Sequence, residues 1–469
     1  MHIDLLRWTR YATYVYLVSV PGLVDSLNLL GMHDTARALQ AALCCLAILA
    51  WSQKFDPSAI QLSRTQYGLL GIAIVLTLAS IWQSQWPVFA ATEACLWVGL
   101  IAVAWVFATS PTDALSKEVP VVVVLAVLLM GLLELRDIAF AWLSSSPLDA
   151  AAVGYGHPNR RHFNHVQTMA LIMAAMAIWY PTHRWMRWPA GFGVAVGLAL
   201  VWLSGARSTL LALVLVGFGF LALCSPARRV WSARLLCLGS AALMAYQIFY
   251  VVIPHSLGIE WSPGIALNER EHGGSIEARL VHWKLAFEMA LQKPLTGWGG
   301  LHYATQHNVD AAHPHNIVLQ WAAEWGWIST LLALGALVWW TRHLWLAMWQ
   351  RLGGAIWPYM PMITAAWMAT LAGWIDAMFS GTLTMPVSQV WWCFCLGIAW
   401  HSVIERSVLP VRPCSLQRSS FKNLLGHATV LALLTTTFIS HKTTYQEKPE
   451  ATLDQSFIKP RLWVSGSIK

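Results

Sequence analysis

Two histidines, His313 and His315, flank Pro314 and precede Asn316 at the threshold of an apolar run that begins at Ile317. Histidine titrates nearest neutral pH, so it suits the removal of a proton from an attacking hydroxyl. Pro314 fits a turn into a helix and Asn316 can satisfy free N–H groups there, so a plain helix cap is the competing reading. A second group, Arg160, Arg161, His162, Asn164, His165 and Gln167, stands at the entrance of another apolar run. Arg207 lies in a tight turn, Ser204-Gly205-Ala206-Arg207-Ser208-Thr209, between two apolar stretches. A charge beside hydrocarbon is expensive, which makes Arg207 a functional candidate; a helix-end residue is the alternative. A planar guanidinium recognises phosphate through paired hydrogen bonds.

These residues need a scaffold, and composition says which. The chain has 469 residues, is 57% hydrophobic and only 11% charged, and holds 29 tryptophans. A soluble chain of this length carries far more charge. Apolar runs of about 15 to 25 residues between short polar loops predict an all-α polytopic membrane protein with about 12–13 transmembrane helices. Spans fall near 11–30, 37–52, 67–82, 88–108, 119–133, 166–180, 189–203, 208–224, 235–253, 316–340, 359–378 and 387–404. A further stretch near 426–441 is short and Thr-rich, and either crosses the bilayer or lies at its surface. The implied organisation is N-terminal helices over 1–133, a first outer loop over 134–165, helices with the Arg207 re-entry over 166–253, a large outer loop over 254–315, C-terminal helices over 316–441 and a polar tail over 442–469.

Charge placement orients this bundle. With the N-terminus in the cytoplasm, cytoplasmic segments collect Arg7, Arg10, Lys54, Arg64, Lys117, Arg184, Arg187, Arg228, Arg229 and Arg234, whereas the short loops opposite hold only Arg37 and Arg207. Positive charge in short loops marks the cytoplasmic side. Both larger loops are therefore expected on the side away from the cytoplasm, with the first span kept as a signal anchor. The net charge of +8 reflects topology and attraction to anionic lipid. Dispersed basic residues without a binding motif argue against nucleic acid. The eight cysteines form no CxxC pair and read as small buried apolar residues.

Within the second loop, Ile276, Leu280, Trp283 and Phe287 recur at helical spacing around Glu277, Arg279 and Lys284, with Ser275 as a candidate cap. This predicts a helix along the membrane surface. The following Pro294-Leu295-Thr296-Gly297-Trp298-Gly299-Gly300 reads as a plain turn-rich loop. Trp261, Trp298, Tyr303, Trp321, Trp325 and Trp327 offer faces for sugar rings, although each singly reads as an interface anchor. Asp376, near the end of a span, reads as an interfacial acid rather than a pocket residue.

Three polar clusters on one face imply one shared pocket. Nucleotides are absent outside the cytoplasm and the chain has no phosphate-cradling GxxxxGK loop, so any transfer must use a membrane-borne activated donor. Arginines suit a pyrophosphate head group and can neutralise it without a metal. The pattern therefore describes metal-independent, cofactor-free glycan transfer from a polyprenyl diphosphate.

The same residues resemble the O-antigen ligase superfamily, which includes O-antigen ligases, O-antigen polymerases and bacterial protein O-oligosaccharyltransferases. The resemblance spans about Gly154 to Gly335 and rests on the Arg207 turn, on Glu277 and Arg279 leading to Pro294–Gly299, and on His315-Asn316 with Leu319-Gln320, Glu324 and Gly326. It implies a periplasmic site, an undecaprenyl-diphosphate-linked glycan as donor, Arg207 and Arg279 on the diphosphate, and His315 as the base or the positioner of the acceptor, with Asn316 beside it. His313 is secondary, and Glu277 is a site carboxylate or the partner of Arg279, the partner role being preferred. Phe163-Asn164-His165 after Arg161 looks like the pilin glycosyltransferase branch, making Asn164 and His165 further site candidates and a pilin Ser or Thr the acceptor. Lipid A core and a growing glycan are the alternative acceptors. A transporter or flippase is the alternative without chemistry, but polar residues gather at one face instead of at midmembrane breaks.

Overall fold

The computed structural model describes residues 4–27, 30, 32–54, 63–145, 157, 160–223, 228–259, 277–305, 311–352, 361–407 and 419–446. Apolar side chains favour helices here because in hydrocarbon each backbone N–H must bond within its own segment. The helices are α1 (Leu5–Leu27), α2 (Met32–Lys54), α3 (Arg64–Trp82), α4 (Pro87–Ala108), α5 (Thr112–Leu143), α6 (Arg160–Trp179), α7 (Arg187–Leu203), α8 (Arg207–Leu223), α9 (Arg228–Gln247), α10 (Glu277–Gln292), α11 (Ile317–Leu352), α12 (Pro361–Ala377), α13 (Pro386–Ser407) and α14 (Ser419–Gln446). No strand occurs among the described residues. Among the described residues, seven helical stretches are long and apolar enough to cross a membrane: α2, α3, α4, α5, Arg184–Leu203 around α7, Arg229–Ser256 continuing α9, and α11. The chain is a polytopic all-α membrane protein.

Two helices organise the packing. α4 lies against α2, α13 and α14, and α6 lies against α12, α7 and α5. Close approach is set by small residues: a Cβ on Gly397 would stand 2.2 Å from the Ala104 carbonyl oxygen. Cys44, Cys45, Cys393 and Cys395 are buried free thiols that fill this core; Cys224 and Cys414 lie outside the described residues.

Several boundaries differ from those the sequence suggests. α5 runs on to Leu143, past residue 133, and α6 starts at Arg160, before Val166. The polar group at 160–167 therefore occupies the first two turns of a helix rather than a loop. Its side chains find partners inward, so nothing forces the backbone to unwind. The Thr-rich stretch is a full helix, α14, packed on α2 and α4. Its threonines bond carbonyls of their own helix, Thr429 to Leu425 at 2.9 Å and Thr436 to Ala432 at 2.7 Å, which removes the cost of placing hydroxyls among apolar neighbours.

Of the two arginines in the short loops opposite the basic ones, Arg37 is structural. It is buried and donates to Gln40 Oε1 at 2.6 Å, Gln389 Oε1 at 2.7 Å and the Thr384 carbonyl at 2.6 Å. These bonds lock the start of α2 to the turn between α12 and α13. Ser275, Asn268–Gly274, Gly154–Gly156, Pro158, Asn159, Trp261 and the tail beyond Gln446 lie outside the described residues.

Candidate active site

Up-and-down connectivity carries five segments to one end of the bundle: the start of α6, the α7–α8 turn, α10, the turn into α11 and the α12–α13 turn. The α7–α8 turn reverses on Gly205, whose φ of 63° is the left-handed conformation glycine adopts without strain. Arg161 Nη1 donates to the Gly205 carbonyl at 3.3 Å, and Asn164 Nδ2 reaches Ser204 Oγ and Gln167 Oε1, each at 2.9 Å. The Thr168 hydroxyl stands 2.9 Å from that of Thr209 and 3.1 Å from Asp376 Oδ2. Thr382 donates to the same carboxylate oxygen at 2.6 Å. α6, α8 and α12 are thereby stitched together around Asp376, which is 0% exposed.

Among the described residues, three buried polar atoms in this cluster have no hydrogen-bond partner: Asn164 Oδ1, His165 Nδ1 and Asp376 Oδ1.

α10 supplies Arg279 and His282 from one face, three residues apart. The Arg279 guanidinium lies within electrostatic reach of Arg207 and Asp376. Burial, and then Arg207, lower its pKa, while Asp376 opposes the change. His282 Nδ1 sits 2.9 Å from the Tyr303 hydroxyl, and its ring centroid is 6.4 Å from that of His315.

His315 adopts a positive φ of 55°. Its amide donates to His313 Nδ1 at 3.3 Å, and the two ring centroids are 4.2 Å apart. Burial, with the nearby cations Arg279 and Arg161 and the rings of His282 and His162, lowers the His315 pKa to about 3. His315 is therefore neutral at neutral pH and holds an unprotonated ring nitrogen, the form that accepts a proton. The next residue, Asn316, caps α11: its Oδ1 accepts from Val318 N at 3.1 Å and Leu319 N at 3.0 Å. The helix-cap reading thus holds for Asn316, whose side-chain oxygen serves the backbone.

The loop reading of Pro294–Gly300 is replaced by a backbone lock. Gly326 breaks α11 with φ 80° and ψ 163°, so carbonyls before it lose their helical donors. Trp298 N donates to the Ala323 carbonyl at 3.0 Å, Gly299 N to the Glu324 carbonyl at 2.9 Å, and Trp327 N to the Pro294 carbonyl at 2.8 Å. A Cβ on Gly297 would lie 2.3 Å from the Glu324 carbonyl carbon. The Glu324 carboxylate accepts from Tyr303 N at 3.0 Å, which ties the lock to His282. The glycine pattern therefore fixes α10 and its arginine against the turn that bears His315.

The structure gathers Arg161, Asn164, His165, Arg207, Arg279, His313 and His315 at one end of the bundle. Glu277 is exposed and makes no ion pair with Arg279 among the described residues; residues two apart on a helix do not face each other. Asp376 lies within electrostatic reach of Arg279, and the interfacial-acid reading of Asp376 gives way to a fully buried carboxylate. His282 was hidden in the sequence, although its three-residue spacing from Arg279 signals a shared face. The aromatics serve packing: Trp321 stands edge-on to Trp97 at 5.8 Å and beside Trp374 at 5.4 Å, and Tyr303 is fully buried. Among the described residues no group of three His, Cys, Asp or Glu side chains could hold a metal ion.

No curated protein and no solved structure matches the chain. The family model described as O-antigen ligase matches residues 192–334. The match includes Arg207, Arg279, His313, His315 and Asn316 and leaves out Arg161, Asn164 and His165. The matched residues 192–334 hold both arginines, α10, the His315 turn and the Gly326 lock, so the similarity to the O-antigen ligase model falls on the segments that build this site.

Proposed function

We propose that the protein transfers a glycan from an undecaprenyl-diphosphate carrier to an acceptor hydroxyl at the periplasmic face of a bacterial inner membrane, without a metal. One observation above the others supports this reading: Arg279 lies within electrostatic reach of both Arg207 and His315. In this scheme Arg207 and Arg279 bind the diphosphate, and Arg161 adds positive charge. The acceptor oxygen attacks the anomeric carbon as the bond from that carbon to the diphosphate oxygen breaks. The diphosphate leaves with the electron pair, and the hydroxyl proton passes to the neutral His315 ring. Charge neutralisation of the leaving group is the main catalytic contribution.

Asn164 Oδ1 and Asp376 Oδ1 supply hydrogen-bond acceptors for sugar or acceptor hydroxyls, and His165 Nδ1 supplies a donor or an acceptor according to its tautomer. The acceptor we propose is a Ser or Thr hydroxyl of a pilin, on the strength of Phe163-Asn164-His165 at the site. The family description favours a second reading, transfer to lipid A core or to a growing glycan.

The test compares native protein with His315→Ala at equal membrane expression, reading the intact mass of the major pilin and the lipopolysaccharide ladder from the same cells. Loss of a glycan-sized mass from pilin with an intact ladder supports protein glycosylation. Loss of the ladder with unchanged pilin supports the second reading, and no change in either sinks both.

A further inference from the structure

A cavity of about 700 Å³ lies between α6, α7, α8 and α9, within the range of about 300–1,000 Å³ typical of ligand clefts. Its wall on α8 is the stripe Leu210, Leu213, Val214, Gly217, Phe218 and Leu221. Leu210 follows Arg207 by three residues, so the α8 wall of the groove begins on the same helix face one turn below that arginine. Between Leu210 and Leu221 it follows α8 for about 17 Å at 1.5 Å per residue, over half the ~30 Å of bilayer hydrocarbon. The Leu221 end carries a cluster of aromatic rings. There Trp231 packs edge-on against Phe220 at 4.9 Å and Trp179 at 5.5 Å, with the Arg234 guanidinium 4.6 Å over its ring.

Glycines on neighbouring membrane helices ordinarily let the backbones close together. Here Gly217 on α8 and Gly239 on α9 both line the groove, yet a Cβ on either would meet nothing within 4 Å. The small residues widen a gap instead of closing one. An apolar slot with aromatic rings at one end and Arg207 one helical turn beyond the other is complementary to a molecule with an anionic head and one long hydrocarbon chain.

We infer that this groove between α8 and α9 holds the first isoprene units of the donor's polyprenyl chain while its diphosphate sits at Arg207 and Arg279. The inference rests on the donor reading proposed above. It makes the groove a measuring device: chains long enough to fill the slot gain binding there, and the aromatic rings at the Leu221 end direct the remainder sideways into the bilayer.

The experiment uses purified full-length protein in lipid nanodiscs, with glycan donors on undecaprenyl and on geranyl diphosphate. Gly217→Trp and Gly239→Trp place a large ring in the slot from positions where a Cβ meets nothing within 4 Å. The expected result is a loss of at least about tenfold in transfer from the undecaprenyl donor, with the geranyl donor unaffected. Unchanged transfer from the undecaprenyl donor in both variants overturns the groove. A second measurement covers variants that fail with both donors: a diazirine-bearing undecaprenyl diphosphate is photocrosslinked to native protein. Labels on Val214, Phe218 or Leu236 support the assignment. Labels confined to other helices, or equal labelling by a diazirine phospholipid, overturn it. Transfer that survives Arg207→Ala with Arg279→Ala refutes the donor reading itself, whatever the groove variants do.

Discussion

The rings of His313 and His315 stand edge to face with centroids 4.2 Å apart, and the backbone amide of His315 donates to His313 Nδ1 at 3.3 Å. An acceptor nitrogen so placed holds His315 in its positive φ and aims its ring toward Arg279 and His282. His313 is thus a positioning residue for the proposed base. His313→Asn keeps an acceptor oxygen near the Nδ1 position, whereas His313→Ala removes it. Thermal unfolding should show a loss of about 1 kcal/mol for the alanine variant. Transfer should fall in the alanine variant and recover in the asparagine variant; equal loss in both would remove the positioning role.

The surroundings of His315 predict how its proton affinity responds to mutation. Burial depresses it first and Arg279 is the leading charge, with Arg161 weaker. Arg279→Ala should therefore raise the His315 titration midpoint, and Arg161→Ala should raise it less. Nitrogen NMR of histidine-labelled protein reads this directly. A midpoint that stays in place in Arg279→Ala would separate the two residues. By the same logic, a bound diphosphate that neutralises Arg279 makes His315 a better base, so donor binding should precede proton removal.

Stability should fall with acid. His315 and His157 have folded pKa values of about 3 and 4, both set chiefly by burial, against an ordinary value of 6.5. Between these values and 6.5 the unfolded chain binds protons that the folded one does not, so stability rises with pH across that window. Above 6.5 both states are neutral at these rings and their contribution is flat. Melting temperature in detergent should be level above pH 7 and decline by a few degrees or more toward pH 4.5. Replacing both residues with Gln should make the decline shallower, with buried His162, also lowered to about 3, supplying part of what remains.

The Gly326 break predicts a large cost for a small change. Its φ and ψ of 80° and 163° are a glycine conformation, and a Cβ there would stand 2.4 Å from the Leu295 carbonyl oxygen. Gly326→Ala should destabilise by about 1–3 kcal/mol from backbone strain alone. Because the lock carries α10, transfer should fall further than stability; the two are separated by assaying well below the melting transition. Gly335→Ala, in the same helix and facing open space, is the control and should be neutral.

Arg37 tests the division between structural and functional arginines. Arg37→Met leaves Gln40, Gln389 and the Thr384 carbonyl without their buried charged donor. Stability should drop on the order of 3 kcal/mol, with donor affinity of the remaining folded protein unchanged. Arg207→Ala should show the reverse pattern, since Arg207 is exposed at the head of α8.

The sequence by itself determined the class of protein. Apolar runs longer than a bilayer is thick admit only helices, and the scarcity of charge confines the polar chemistry to helix ends. His315, Arg207 and Arg279 were legible because histidine and arginine are conspicuous beside hydrocarbon. Tertiary structure decided their neighbours. Asp376 looks like any carboxylate near a span end until α12 packs on α6 and buries it beneath Thr168 and Thr382. Glu277, two residues from Arg279, looks like its partner until the helix turns it outward. Gly297 and Gly326 lie in separate segments, and only the backbone contact between loop and helix shows why neither tolerates a side chain. The reason is common to all three. A sequence displays neighbours along the chain, whereas burial, pairing and close backbone approach are relations between segments that only packing brings together.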